Sequence, residues 1–172
     1  MSYCSDLTRE RIMECAKAEF LKKGFQAAQL KDIVAAAKVT TGAVYRHFKD
    51  KEALFFALIE DVYHYTLDFL DNVESYDTVG IKEAIERDSI ESSYMQAMKY
   101  VNYMYEHFEE YQLLLKYSKG SRVENFIEEI ADQYTKQNAQ FVKAAYEAGY
   151  AKCLPSDIEI HILTHGYITA LC

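Results

Sequence analysis

The stretch QLKDIVAAAKVTTGAVYRHFKDK, residues 29–51, decides the fold, because its spacing predicts two short helices and the start of a third. The first helix runs from about residue 30 to residue 37. Its apolar positions recur at intervals of three and four residues and therefore share one face. These positions are Leu30, Ile33, Val34 and Ala37.

The second helix of this stretch runs from about residue 41 to residue 47. Val44 and Phe48 lie four residues apart and point to one side of it. Gly42 and Arg46, also four residues apart, point to nearly the opposite side. Two short helices joined by a tight turn, the second with one packed face and one small, polar, partly basic face, form the helix-turn-helix pattern.

The composition predicts an all-α protein. Of the 172 residues 50% are hydrophobic, and only six glycines and one proline interrupt the chain. We assign residues 1–48 to a three-helix head and residues 49–172 to a helical body. A long helix from about residue 51 to residue 72 links them, with Asp50 as its cap. Its apolar side is assigned to Ala53, Leu54, Leu58, Val62, Tyr65, Phe69 and Leu70.

Sequence signals also mark the other helix ends. Gly24 stands where the end of the first helix favours a left-handed residue. Ser121 with Glu124, and Ser156 with Glu159, have the spacing of a capping box, so we predict that helices begin there. Further helices are predicted over residues 81–105 and 107–119. The last helix reaches residue 172 without a stop signal, as in a short or truncated chain.

Charge is distributed unevenly along the chain. The net charge of −8 alone disfavours a nucleic-acid partner. However, residues 1–51 contain 10 lysines and arginines against 6 acidic residues, whereas the remainder contains 9 against 21. A basic end on an acidic body is typical of a protein that offers one end to a polyanion.

Nothing in the sequence predicts a membrane-spanning segment or a disulfide bond. No apolar run approaches the roughly 18 residues that span a bilayer, and the N-terminus has no signal pattern. We therefore predict a cytoplasmic protein without a membrane partner. The cysteines form no CxxC pair, which favours free thiols at Cys4, Cys15, Cys153 and Cys172.

Residues 9–60 resemble the N-terminal region of the tetracycline-repressor (TetR) family of bacterial transcriptional regulators. The matching segments are RERI at 9–12, KKGF at 22–25, LKDIV at 30–34 and TGAVYRHFKDKEAL at 41–54. This resemblance implies a head that binds an operator and a helical body that dimerises and binds an effector.

Two positions depart from the family pattern. Lys38 stands where the family usually has glycine, and a lysine held in the left-handed conformation costs about 1 kcal/mol. Ala28 and Gln29 stand where the family has a small hydroxyl residue at the start of the second helix. A lost hydroxyl cap costs about 1 kcal/mol and one phosphate contact.

The candidate DNA-binding residues lie on or beside the second helix of the motif. Gly42 permits close approach to the major groove, and Arg46 can bond a guanine edge or a phosphate. The start of the long helix at Lys51 favours an anion. The resemblance implies DNA contacts at Thr41, Gly42, Tyr45, His47 and Lys51. The full predicted set is Lys31, Thr40, Thr41, Gly42, Tyr45, Arg46, His47 and Lys51, and the alternative is that these are ordinary surface residues.

The sequence has 15 tyrosines, several of which crowd residues 94–111. Side chains sharing a face there can line a pocket for an apolar or aromatic effector. The predicted pocket residues are Tyr100, Tyr103, Met104, His107, Phe108 and Tyr111. The alternative is a tyrosine-rich core and dimer surface.

No motif predicts catalysis. His161 and His165 lie four residues apart on the last helix, but neither HExxH nor a cysteine pair completes a metal site. No nucleophile or phosphate-loop motif is present. We therefore predict no metal, no cofactor and no enzymatic activity.

Together these features predict a homodimeric, sequence-specific DNA-binding regulator. It would act as a repressor on near-palindromic double-stranded DNA until an unidentified small-molecule effector binds the body and tilts the long helix. The alternative is a protein-binding adaptor whose helix-turn-helix no longer reads DNA. Lys38 and the missing hydroxyl cap are the only support for that alternative.

Overall fold

The computed structural model describes residues 3–71 and 89–171, and the regular structure in these two ranges is entirely helical. The all-α prediction is therefore confirmed for this part of the chain. The last residue of the predicted linking helix and the first part of the helix predicted over residues 81–105 lie outside the described residues. The helices are α1 Tyr3–Ala27, α2 Leu30–Ala37, α3 Thr41–His47, α4 Lys51–Asp71, α5 Ser89–Glu106, α6 Phe108–Lys116, α7 Phe126–Glu147 and α8 Asp157–Leu171.

The chain forms two compact units. Unit 1 comprises Met1–His64 and His107–Glu124, and unit 2 comprises Tyr65–Glu106 and Asn125–Cys172. This division differs from the predicted boundary after residue 48, because α6 packs against α1 and so belongs with the head. None of the described helices is long and apolar enough to cross a membrane.

The core of unit 1 is built on the four-residue spacing of α1. Ile12, Ala16 and Phe20 are fully buried, as this spacing predicts. The ring of Phe55, on α4, meets those of Phe20 and Phe25 edge-on, each at 5.0 Å between centroids. Edge-to-face aromatic pairs add to the free energy gained from burial, so this cluster fixes α4 to α1.

α1 bends at Gly24, which has φ 73° and ψ 164°. The predicted left-handed φ is confirmed, although the helix is assigned beyond the bend to Ala27. Directly after the bend, the Phe25 N–H donates to the Tyr117 carbonyl at 2.8 Å. The bend therefore joins α1 to the segment that follows α6.

An ion pair joins α1 to α6 across 93 residues of sequence. Lys17 Nζ lies 3.0 Å from Glu109 Oε2 and 2.8 Å from Glu110 Oε1. The hydrogen bond to Glu110 raises the pKa of Lys17. Burial raises the pKa of Glu110, but its bonds to Lys17 and to backbone outweigh this, so the net pKa lies below the ordinary value.

In unit 2, polar side chains connect α7 and α8. Asn138 Nδ2 donates to Thr164 Oγ1 at 3.0 Å, and Thr135 Oγ1 lies 3.2 Å from His161 Nδ1. His165, which follows His161 on α8, lies beside Glu128, which precedes Thr135 on α7. Later residues of α8 therefore lie against earlier residues of α7. The two helices are therefore antiparallel.

One predicted helix start is confirmed and the other is wrong. α8 begins beside Ser156, whose N–H donates to Glu159 Oε2 at 2.8 Å, as in a capping box. In contrast, α7 begins at Phe126 and not at residue 121. The reason is that Glu124 Oε2 accepts from the Gly120 N–H at 2.9 Å, which closes a turn and not a cap.

Candidate functional site

The turn between α2 and α3 keeps its form despite Lys38. Lys38 adopts φ 52° and ψ 44°, the left-handed conformation that glycine would take without strain. Its N–H donates to the Ala35 carbonyl, and the Val39 N–H donates to the Val34 carbonyl, both at 3.2 Å. These two bonds form a Schellman motif. The departure from the family pattern therefore adds local strain of about 1 kcal/mol but preserves the turn.

We expect Lys38→Gly to raise the Tm of the protein by roughly 2 °C, because it removes this backbone strain. Lys38→Ala is the matched control. It removes the same side chain but keeps the Cβ atom that causes the strain, so it should give no increase. Thermal unfolding followed by circular dichroism tests both variants. Equal gains for the two would assign the effect to loss of the lysine side chain.

α3 presents two different faces. Thr40 precedes it and caps it, because its Oγ1 accepts a hydrogen bond from the Ala43 N–H at 3.2 Å. Val44 and Phe48 are buried, whereas Tyr45 is 53% exposed. The opposite face is exposed as the spacing predicts, and its exposed side chains are Thr41, Tyr45 and Arg46, with Gly42 between them.

Gly42 leaves this face open at its centre. A Cβ atom added there would meet only Thr40 Oγ1, at 4.0 Å. No steric demand within the described residues therefore requires glycine at this position. His47 is half-buried at the edge of the face, and its ring centroid lies 6.4 Å from that of Phe48.

The start of α2 is held by a lysine and not by its own cap. Gln29 occupies the cap position and makes no side-chain capping bond. Asp32, in the first turn, lies 2.8 Å from Lys23 Nζ, and this hydrogen bond is the main cause that lowers the pKa of Asp32. The predicted DNA contact Lys31 is exposed in the same turn.

Lys51 makes contacts that the sequence did not predict. Its ammonium group donates to the Phe25 carbonyl at 2.7 Å and to the Ala28 carbonyl at 3.2 Å. It also lies over the Phe25 ring, 4.4 Å from the centroid. Backbone carbonyls occur at every residue, so no sequence signal could have identified these acceptors.

The six predicted effector residues are divided between the units. In unit 2, Tyr103 stacks on Tyr65 at 3.7 Å between centroids, and Tyr100 stacks on Phe69 at 4.4 Å. The Tyr100 hydroxyl lies 3.2 Å from Thr66 Oγ1, and Met104 is half-buried in the same helix. The other three are in unit 1: Tyr111 is buried, Phe108 is exposed and His107 is half-buried. The pocket itself stays a prediction.

The two histidines of α8 face different partners. His165 Nε2 lies 3.2 Å from both carboxylate oxygens of Glu128. His161 Nδ1 lies 3.9 Å from Asp132 Oδ1. Within residues 3–71 and 89–171, no three histidine, cysteine, aspartate or glutamate side chains come together as a metal site. A cavity of about 210 Å³ near the start of α8 is lined by Ala139, Gln140, Lys143, Leu154, Pro155, Asp157 and Ile160.

The N-terminal part of the chain is similar to a family of known proteins. Residues 12–58 match the model of the family described as bacterial regulatory proteins, tetR family. The HTH-type transcriptional regulator TtgR of Pseudomonas putida is 42% identical over 73 residues, which are 42% of this chain and 34% of TtgR. The probable acrEF/envCD operon repressor of Escherichia coli is 46% identical over 48 residues, 28% of this chain and 22% of that protein. The matched segments thus span about a third or less of these relatives.

A solved structure shares the fold over almost the whole chain. The crystal structure of NalD, the secondary repressor of the MexAB-OprM multidrug efflux pump in Pseudomonas aeruginosa, has a TM-score of 0.57 and 21% sequence identity. The similarity covers 99% of this chain and 84% of NalD. The described helices therefore follow the fold of this repressor.

Proposed function

We propose that this chain is a transcriptional regulator that reads double-stranded DNA with α3, because residues 12–58 match the model of the tetR family of bacterial regulatory proteins. The exposed face of α3 carries the proposal. Small, hydroxyl and cationic groups lie on the solvent side, while Val44 and Phe48 on the opposite side are buried. This distribution suits a helix that packs on its own domain and enters the major groove.

Each group on this face has chemistry suited to DNA. The Arg46 guanidinium matches the two acceptors on the major-groove edge of guanine. The hydroxyls of Thr41 and Tyr45 can donate to phosphates or base edges, and Gly42 lets the helix approach. Lys31, Thr40 and His47 lie at the margins, where phosphate contacts are expected. Lys51, at the start of α4, instead donates to the carbonyls of Phe25 and Ala28.

We propose that the regulator is a homodimer formed through α7 and α8. Large apolar side chains are exposed on both helices, and exposed apolar patches of this kind commonly mark interfaces. They are Phe141, Tyr146, Ile158, Ile162 and Leu163. A twofold dimer would place the two copies of α3 about one DNA turn apart, roughly 34–36 Å, on a near-palindromic operator.

We further propose that the protein is a repressor released by a small effector. The E. coli relative is described as a probable operon repressor and NalD as a secondary repressor, which supports repression as the mode of regulation. α4 runs from residue 51 in unit 1 to residue 71 in unit 2, so one helix connects the head with the proposed effector region. An effector shifts the equilibrium only if it binds the DNA-incompetent state more tightly.

The described geometry does not favour the adaptor alternative. Its support was Lys38 and the missing hydroxyl cap. Lys38 adopts the left-handed turn that glycine would take, and Lys23 holds the first turn of α2 through Asp32. Both departures therefore leave the helix-turn-helix intact.

Selection of genomic fragments by the purified protein tests the proposed function. We expect a small set of fragments to be retained specifically, with affinity falling steeply as salt concentration rises. Tyr45→Ala should weaken that retention without changing the Tm, because Tyr45 is exposed. Absence of any enriched fragment at low salt would contradict DNA reading. An effector that raises the Tm but leaves operator affinity unchanged would contradict release by an effector.

A further inference from the structure

The α1–α2 connection, defined here as residues 25–28 between the bend of α1 at Gly24 and the start of α2, contains backbone carbonyls that an ammonium group satisfies. Lys51 is the first residue of α4, and its Nζ donates to the carbonyls of Phe25 and Ala28, at 2.7 Å and 3.2 Å. Phe25 follows the bend at Gly24, and Ala28 lies two residues before α2. One side chain of α4 thus holds both ends of this connection through charge-assisted hydrogen bonds.

The ring of Phe25 completes the environment of the ammonium group. The Lys51 nitrogen lies 4.4 Å from the ring centroid, within the range of a cation–π interaction. The ring is itself only 7% exposed and packs against Phe55 of α4. The ammonium group therefore contacts two carbonyls and one aromatic ring of this segment, and two of its three N–H donors are engaged within the protein.

This contact is important for α2 because that helix lacks a side-chain cap. Gln29 makes no capping bond, so the position of the first turn depends on its neighbours. Two lysines supply these contacts: Lys23 binds the Asp32 carboxylate, and Lys51 binds the carbonyl directly before Gln29. α2 in turn carries Lys31 and determines where the turn to α3 begins.

We propose that Lys51 is a positioning residue for DNA binding, which ties the α1–α2 connection to α4 and so places α2 and α3 for the groove. This proposal rests on the proposed DNA-binding function. It differs from the anion contact predicted for Lys51 from the sequence, since it assigns the ammonium group to backbone carbonyls of the protein. The two roles predict different salt dependences.

Operator affinity measured over a salt series, together with the Tm, separates these roles. We expect Lys51→Met to weaken operator binding about tenfold and to lower the Tm by roughly 5 °C, because charge-assisted bonds are lost. The slope of log affinity against log salt should stay unchanged. Lys31→Met, the matched phosphate-contact control, should reduce that slope by about one and leave the Tm unchanged.

Two further variants distinguish the positioning role of Lys51 from a general loss of stability. Lys51→Gln lacks the charge but keeps a donor for one carbonyl, so it should restore part of both the affinity and the Tm with the original salt slope. Ile130→Val, in unit 2, should lower the Tm without affecting operator affinity, which distinguishes positioning from general destabilisation.

Several outcomes would overturn the positioning role. The first is a salt slope reduced by about one in both Lys51→Met and Lys51→Gln, with an unchanged Tm. The second is a lower Tm in Lys51→Met with unchanged operator affinity. The third is that Lys51→Met changes neither the operator affinity nor the Tm. If the wild-type protein retains no DNA at any salt concentration, the proposed function fails. In that case an unchanged Tm in Lys51→Met would also disprove the tie to the α1–α2 connection, whereas a lowered Tm would support that tie.

Discussion

Gly42→Leu should leave the protein folded but reduce its operator affinity to the level of non-specific DNA binding, a loss of roughly 10³-fold or more. A Cβ at this position contacts only Thr40 Oγ1, at 4.0 Å, and Gly42 is exposed, so we expect the leucine side chain to extend into solvent. Leucine is also a better helix former than glycine, so the Tm should not fall. On the outside, however, the leucine would stand where α3 must approach the base edges. Operator binding and thermal unfolding measured on the same preparation test both parts of this expectation.

Ala18→Leu provides the control for a bulky residue on an exposed helix face. Ala18 is exposed on α1, so the substitution should change neither the Tm nor operator affinity appreciably. If Gly42→Leu bound the operator as tightly as the wild type, α3 could not be the reading helix in the proposed orientation. If its Tm fell sharply, glycine would have a structural role that the local geometry does not indicate.

Local signals determined the helix-turn-helix, and these are the parts that the sequence predicted well. The observed bounds of α2 and α3 agree with the predicted ones. Thr40 caps α3, and Asp50 Oδ1 accepts from the Ala53 N–H at 2.7 Å at the start of α4. Caps and apolar spacing act within a few residues, so a single sequence is sufficient to predict them.

Burial around α4 was harder to predict, because periodicity describes one face of a helix. Leu54, Val62 and Leu70 are buried as expected, but Phe55 and Ile59 are fully buried as well. Leu54 and Phe55 are adjacent, so α4 buries a wider surface than a single apolar stripe. The extra width reflects packing against other elements, which a pattern confined to α4 does not show.

Contacts between distant residues account for what the sequence did not predict around the site. The Lys17 pairs with Glu109 and Glu110 join α1 to α6, and Lys51 binds carbonyls that precede it by more than twenty residues. Neither arrangement leaves a local motif. As a result, the sequence predicted which side chains of α3 are exposed, but not how the helices around α3 are held. The assignment of α6 to the head was also missed for this reason.

Ile162→Glu should convert the proposed dimer into monomers and weaken operator binding by roughly 10²-fold or more. Ile162 is 63% exposed on α8, close to Ile158 at 68% and Leu163 at 73%, so the isolated chain tolerates a charge there. In a dimer that covers this surface, the carboxylate would be buried without a partner, which is unfavourable. A monomer also loses the high effective concentration with which the second half of a dimer meets the second half-site. Sedimentation equilibrium and operator titration measure the two effects.

Met95→Glu provides the comparison, because Met95 is 52% exposed on α5 and the substitution introduces the same charge at a similarly exposed apolar position. It should remain dimeric and retain operator affinity. A dimer of unchanged stability in Ile162→Glu would place the interface on another surface. A monomeric variant that still binds the operator like the wild type would show that one head is sufficient for recognition. The near-palindromic operator would then lose its physical basis, because only the twofold symmetry of the protein requires two matched half-sites.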